Sequence, residues 1–433
     1  MEGIKNLADK KSLLATSITS WDDPKFKIDP KIRRALTEDL GFEQPSKIQA
    51  LTIPMITSPP YRNLIAQSQN GTGKTLAFIL SSLLRVDPKS DAVQVVVLAP
   101  FRELARQIHD GYKEVTMHAP EYKICLVLPD IEHHTAKSEG QVVIGTPGSL
   151  LKDMMVSPKK YAEVKVFVMD EADKAFDPKE GLSKDIVGIY KKMNPKKQTL
   201  LFSATFSEEM IKNVKMLIKE AATIKLPVQQ LTLKGVIQLY LRCEPKKKFD
   251  EVFNVFQKIS CGQTIVFTNT RNFCDACYNY FEKRKFSVSV IRGGMQPAER
   301  DAAIKNFKEK KSTILITTGL LSRGYDNRAV TLVVNLDIPK QLGSRTEPNT
   351  EEYLHRVGRT GRFGDIGIAL NLVETEEDHA ALKKVEEFYK CEIKETNISV
   401  LEKQLKEVVK IRKEQQDKED EEEAAAEAKK KAK

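Results

Sequence analysis

Long apolar runs are missing from this 433-residue chain. The longest suggestive stretch, "LAFILSSLL" at 76–84, falls well short of the roughly 20 apolar residues that a membrane-spanning helix takes. The opening "MEGIKNLADKK" lacks the apolar core of a secretory signal. The expectation is a soluble, cytoplasmic protein without membrane association. Cysteine is sparse too: six residues, at 125, 243, 261, 274, 277 and 391. Cys274 and Cys277 form a C-x-x-C, but no second pair stands at zinc-ribbon spacing, so the reading is a helical i,i+3 pair in a reducing compartment.

What the chain has is positive charge, a net +10. From Glu402 to Lys433 ten basic and ten acidic residues cancel, so residues 1–401 carry the surplus. That balance favours a polyanionic partner. Hydrophobic residues make up 41%, enough for ordinary cores, and the length suggests two or three domains. Short apolar runs alternate with amphipathic stretches: "NLIAQ", "VQVVVLAP", "KICLVL", "QVVIGTP", "VKVFVMD" and "TLLFSAT". Runs apolar at every position fit parallel strands buried on both faces. The pattern stops near "KLPVQQLTLKG" and restarts with "QTIVFTNT", "FSVSVIRGG", "STILITT", "TLVVNLD" and "GIALNLV". The expected fold class is α/β, with two doubly wound parallel-sheet domains joined by a short linker and ligands at the carboxyl ends of the strands. The boundaries read as an extension over 1–20, a first domain over 21–226, a linker over 227–234, a second domain over 235–395 and a charged tail over 396–433. In that tail Glu427 and Lys431, four apart, support a helix weakly, and a solvated or frayed helix is expected.

"SQNGTGKT" (68–75) matches the phosphate-loop template at Gly73, Lys74 and Thr75, with Ser68 where the template has glycine. The loop follows a strand and opens a helix, so its N–H groups and the helix dipole favour phosphate. Lys74 then neutralises β/γ-phosphates and Thr75 holds Mg²⁺ through its hydroxyl. "VFVMDEAD" delivers Asp170 and Glu171 at a strand end. Asp170 suits a largely water-mediated Mg²⁺ contact, and Glu171 suits orienting or deprotonating an attacking water.

These residues carry a resemblance. "DEAD" at 170–173, with its companion motifs in order over residues 21–395, resembles the DEAD-box ATP-dependent RNA helicases. The resemblance implies two tandem RecA-like domains that use ATP and Mg²⁺. It implies adenine recognition by Gln49 with Phe42 stacking on the ring, and phosphate contacts from Gly71, Gly73, Lys74 and Thr75. An interdomain relay through Asp173, Ser203 and Thr205 with His355 follows, as do arginine fingers at Arg359 and Arg362 and a ribose contact at Asp326. Fingers and phosphate loop lie on different domains, so ATP becomes a conditional glue between two lobes.

The same resemblance assigns RNA contacts to Arg102, Thr146 and Gly148 in the first domain and to Thr270, Gly293, Arg300 and Thr318 in the second. The chain departs from the family pattern at Phe101, at Pro129-Asp130, at Ser149 and at Gly319, and the first three bear on first-domain RNA contacts. Contacts of these types touch phosphate and sugar, so binding is expected to be sequence-tolerant and steeply salt-dependent. The implied function is an ATP-hydrolysing RNA helicase or RNP remodeller. The expected protein is a monomer that binds single-stranded RNA, with protein activators of its ATPase. The insertion "KQLGSRTEPNTEEY" and the first-domain motifs are most similar to the nuclear-pore mRNA-export subtype, which adds the nucleus and nuclear pore as locations. The rival readings are a translation-initiation helicase, an ATP-dependent RNA clamp that does not unwind, and a DNA translocase.

Overall fold

The computed structural model describes residues 18–67, 72–128, 140–177, 181–203, 208–218, 220–225, 235–258, 262–319, 327–341, 343–361 and 365–431. The chain divides into two compact units, Met1–Leu231 and Thr232–Lys433. The first holds strands β1 (Leu64–Gln67), β2 (Val95–Leu98), β3 (Ile124–Val127), β4 (Val142–Gly145), β5 (Val166–Met169), β6 (Gln198–Ser203) and β7 (Ala222–Lys225). The second holds β8 (Val236–Arg242), β9 (Gln263–Phe267), β10 (Val288–Ile291), β11 (Ile314–Thr317), β12 (Val330–Asn335), β13 (Gly367–Val373) and β14 (Lys394–Glu395). The helices used below are α1 (Lys47–Thr57), α2 (Lys74–Leu83), α3 (Arg102–Val115), α4 (Pro147–Val156), α5 (Lys248–Lys258), α6 (Arg271–Glu282), α7 (Pro297–Lys308), α8 (Thr350–Val357) and α9 (Ile398–Lys431).

Both sheets are parallel, with strand orders β3-β4-β2-β5-β6-β1-β7 and β10-β11-β9-β12-β13-β8-β14. Counted within each unit these are one and the same order, so the second unit repeats the topology of the first. The apolar runs explain the burial. Strands β2, β4, β5 and β6 are buried at every position, because helices cover both faces and split the core of the first unit in two. A parallel sheet gathers all strand carboxyl ends on one edge. That edge of the first unit therefore receives Lys74 after β1, Phe101 after β2, Thr146 after β4, Asp170 after β5 and Ser203 from β6. In the second unit it receives Thr270, Arg292, Thr318 and Asp337.

Two stretches do more than the sequence reading gave them. Ile18, Trp21 and Phe26 pack into the core of the first unit, the two rings 5.5 Å apart between centroids. Residues from 396 onward are not simply a charged tail: α9 seats Leu401, Leu405 and Val408 in the core of the second unit. Cys274 and Cys277 do form a buried i,i+3 pair on α6, and burial pushes both thiols up, Cys274 to about 11. No described helix is long and apolar enough to cross a membrane.

Candidate nucleotide and nucleic-acid sites

Gly73 ends the phosphate loop in the left-handed region, at φ +92°. A side chain there is excluded twice, by that backbone angle and because a Cβ would lie 2.3 Å from Gln49 Nε2. The Gln49 amide is already at work. Its Oε1 accepts from Ser46 N at 2.7 Å, capping α1, and its Nε2 donates to Gly73 O at 3.1 Å. Gln49 thus ties the start of α1 to the end of the loop. Phe42 is held by its backbone: its N donates to Leu36 O at 2.8 Å and its O accepts from Trp21 Nε1 at 2.8 Å. Its ring is exposed, as a stacking surface must be. Trp21, the single tryptophan of the chain, escaped the sequence reading; its position outside every motif left no signal.

Lys74 is the first residue of α2 and is buried. Asp170 follows β5 directly and is also buried. Burial and the neighbouring Glu171 charge push its carboxyl up to about 7, and Lys74 opposes them. Lys74 and Asp170 therefore share one electrostatic site, although 96 residues separate them in the chain. Glu171 adopts φ +47° and ψ +49°, a left-handed conformation that costs a non-glycine residue roughly 1–2 kcal/mol. That bend returns its N–H to Asp170 Oδ1 at 3.0 Å. Ser203 Oγ donates to Asp173 Oδ1, so two of the expected relay residues meet within the first unit. Thr75 lies one residue into α2, half-buried. Gly71, Thr205, Asp326 and Arg362 lie outside the described residues, as do Pro129 and Asp130.

The expected RNA contacts occupy strand ends and helix starts. Phe101 stands at the N-terminus of α3 without capping it, and Arg102 opens that helix largely buried. Thr146 stands at the N-terminus of α4, its hydroxyl 3.1 Å from that of Ser149. The serine that departs from the family pattern therefore engages the neighbouring threonine. Gly148 has room for a side chain, with Asp185 3.7 Å from a Cβ placed there. Thr270 caps α6 by accepting from Phe273 N at 3.2 Å. At Gly293 a Cβ would lie 2.6 Å from the guanidinium of Arg271, a residue the sequence reading passed over. Arg300 sits half-buried on α7, and Thr318, just after β11, is also half-buried. A Cβ on Gly319 would meet Glu352 Oε1 at 2.5 Å. The missing side chain at that departure leaves the space that Glu352 fills.

Helix α8 carries His355 and delivers Arg359 just past its end. Arg359 Nε donates back to His355 O at 3.0 Å. Arg356, between them, binds Glu352 Oε1 at 3.1 Å, Asp337 O at 3.0 Å and Asn269 Oδ1 at 2.9 Å. It joins the helix bearing the expected finger to the loop bearing Thr270.

The DEAD/DEAH box helicase model matches residues 46–214, and the helicase conserved C-terminal domain matches residues 247–364. The ATP-dependent RNA helicase DBP5 of Lodderomyces elongisporus is 37% identical over 377 residues, 87% of this chain and 72% of that protein. The chain belongs to the DEAD-box ATP-dependent RNA helicases. DBP5 of Gibberella zeae is 35% identical over 400 residues, 91% of this chain and 81% of that protein. Among solved structures, Saccharomyces cerevisiae Dbp5 bound to RNA and ADP BeF3 superposes with a TM-score of 0.84 at 33% identity, covering 90% of this chain and 99% of that one. That superposition agrees with the tandem RecA-like fold. The helicase is thus an ATP-hydrolysing enzyme of that family.

Proposed function

We propose that this helicase binds ATP and single-stranded RNA across its two units and uses hydrolysis to release the strand, opening short duplexes or displacing bound proteins. The observation that carries the nucleotide site is Lys74 beside Asp170 at one sheet edge, behind a turn that ends on left-handed Gly73. In this reading Gly71, Gly73, Lys74 and Thr75 cradle the phosphates, while Phe42 and Gln49 select adenine. Glu171 orients the attacking water, and Arg359 and Arg362 stabilise transition-state charge, with Asp326 on the ribose. Asp173, Ser203, Thr205 and His355 report the γ-phosphate.

Magnesium fits these residues. Glu171 Oε2 is buried with no hydrogen-bond partner among the described residues, and it and the buried Asp170 carboxyl are hard oxygen donors. Thr75 and Asp170 would hold the ion, largely through water, and it would neutralise charge on the β- and γ-oxygens. Arg102, Thr146, Gly148, Thr270, Gly293, Arg300 and Thr318 contact phosphate and sugar. ATP and RNA each tighten the other's binding, as linkage requires.

The Dbp5 relatives suggest the setting. A yeast Dbp5 variant was solved with Nup159, Gle1, IP6 and ADP; by analogy this helicase acts in mRNA export at the nuclear pore with protein activators. The deciding experiment measures ATP hydrolysis without nucleic acid, with single-stranded RNA and with DNA of equal length. Stimulation by RNA alone is expected. An equal rate in all three would sink the proposal, and equal stimulation by DNA would favour a DNA translocase. The Thr146–Ser149 hydrogen bond favours a second reading, an RNA clamp with a reduced first-unit grip. Duplex release measured beside RNA binding separates the two.

A further inference from the structure

The turn that follows Arg359 is packed backbone against backbone. A Cβ on Gly361, whose φ is +66°, would lie 2.6 Å from Gly235 O, and one on Gly367 would lie 2.0 Å from Thr360 Oγ1. Gly367 N donates to Gly235 O at 2.7 Å, and Thr360 Oγ1 donates to Val330 O at 2.7 Å. Into this turn α9 sends one side chain. Arg412 Nε donates to Ile366 O at 2.6 Å, Nη1 to Arg328 O at 2.8 Å and Nη2 to Thr360 Oγ1 at 3.3 Å. The threonine hydroxyl donates once and accepts once, which it has the capacity to do.

Sequence spacing explains how the arginine gets there. Leu401, Leu405, Val408 and Arg412 fall at i, i+4, i+7 and i+11, one face of a helix. The three apolar residues are buried in the core, so the helix is anchored before it reaches Arg412. The planar guanidinium then presents its donors in a fixed fork to three chain segments at once. One of its acceptors, Thr360, is the residue next to Arg359.

We propose that Arg412 is a positioning residue for Arg359: the C-terminal helix pins the turn that aims the finger at the nucleotide. The inference rests on the finger assignment made above and extends it to a residue outside every helicase motif. It makes the first four turns of α9 part of the hydrolytic machinery of the second unit.

The test is steady-state ATPase with saturating single-stranded RNA on the full chain carrying Arg412→Ala, Arg412→Lys, Arg359→Ala, and both alanines together, with the active fraction fixed by ATP titration and Tm recorded. Arg412→Ala is expected to lower kcat roughly tenfold, below the ~10²-fold that a 1 Å misplacement can cost, and to leave the KM for ATP within about twofold. Arg412→Lys recovers part of the loss. The double variant is no slower than Arg359→Ala, because the proposal routes the effect of Arg412 through Arg359 alone and not through the second finger, Arg362. Losses that multiply in the double variant, or a normal kcat in Arg412→Ala beside a slow Arg359→Ala, overturn the inference while leaving the finger in place. Full turnover in Arg359→Ala overturns the finger assignment and the inference with it.

Discussion

The two units put a lysine in the same topological place and use it in opposite ways. Strands β1 and β8 occupy the same position in their sheets, as do β5 and β12. Lys74 opens the helix after β1, and Lys248 opens the helix after β8. Asp170 follows β5, and Asp337 follows β12 by two residues. In the second unit Lys248 Nζ lies 3.3 Å from Asp337, 3.6 Å from Glu374 and 3.8 Å from Asp378, so its charge is neutralised by carboxylates of its own unit. Its turn, "CEPKK" at 243–247, holds a proline and no glycine. In the first unit the turn ends on left-handed Gly73, and the acids beside Lys74 are crowded enough to raise Asp170. One lysine is spent on folding, while the other, in the proposed reading, meets a phosphate. The duplicated topology supplies the place, and the turn and the acids around it decide the chemistry.

Substituting each lysine in turn should break this comparison cleanly. Lys74→Ala is expected to abolish ATP binding and hydrolysis with little loss of Tm. Lys248→Ala leaves three acids without their shared cation and is expected to cost about 3 kcal/mol of stability in the second unit, the range for breaking a buried ion pair. ATP affinity of the first unit should stay within about threefold. Calorimetry and nucleotide titration on both variants read the two effects. An ATP defect in Lys248→Ala as deep as that in Lys74→Ala would erase the distinction. Glu171→Gln comes next in size. It removes the base but keeps the backbone bend, so turnover should fall ~10²-fold or more while ATP and RNA stay bound. Rapid RNA release from that variant speaks against the water-activating role.

Features that sequence exposes are those fixed by local pattern. Most strands were legible, the central ones because burial on both faces leaves no polar alternation, and the turn from β1 into α2 was legible because its residues are contiguous. Strands β7, β8 and β14 were missed, β8 because Gln238 and Arg242 interrupt its apolar run. Arg271, Arg356 and Lys248 were not legible, since each meets a partner that the fold brings from far along the chain; Arg356 adds a local pair with Glu352. Arg356 reaches Asn269 across 87 residues and Asp337 across 19. Arg412 was within reach: the apolar stripe at 401, 405 and 408 is a helical period, hidden by the balanced charge around it. Gln49 and Thr270 were found as motif residues, but their capping bonds within the fold were not, because a cap depends on the local backbone path.

Trp21 gives a smaller effect on the nucleotide side of the comparison. Trp21→Phe keeps a ring in the core but deprives Phe42 O of its donor, and loss of a half-buried hydrogen bond costs about 1 kcal/mol. If Trp21 positions Phe42, the KM for ATP rises a few-fold with kcat nearly unchanged. A lower Tm with unchanged KM would make Trp21 a core residue alone.

The smallest effect concerns a third lysine, which sharpens what the acids do for Lys248. Lys197 Nζ donates to Tyr190 O at 3.0 Å and to Asn194 O at 3.3 Å, and lies 3.5 Å from the centroid of the Tyr190 ring. Burial lowers its ammonium from 10.5 to about 8, although the carbonyls and the ring face favour the cation. Below pH 8 the folded and unfolded states both hold the proton, and the cost of covering the charge is present in full. Between about 8 and 10.5 the folded state has released a proton that the unfolded state keeps, so stability rises with pH. Lys197→Met should therefore melt higher than the parent at pH 7, and its advantage should shrink by pH 9.5. Lys248→Met, made alongside, should melt lower than the parent at both values, because there the charge is stabilised rather than merely buried. A melting difference for Lys197→Met that stays constant between the two pH values rules out titration of this lysine, and with it the contrast between a lysine given acids and one given only dipoles.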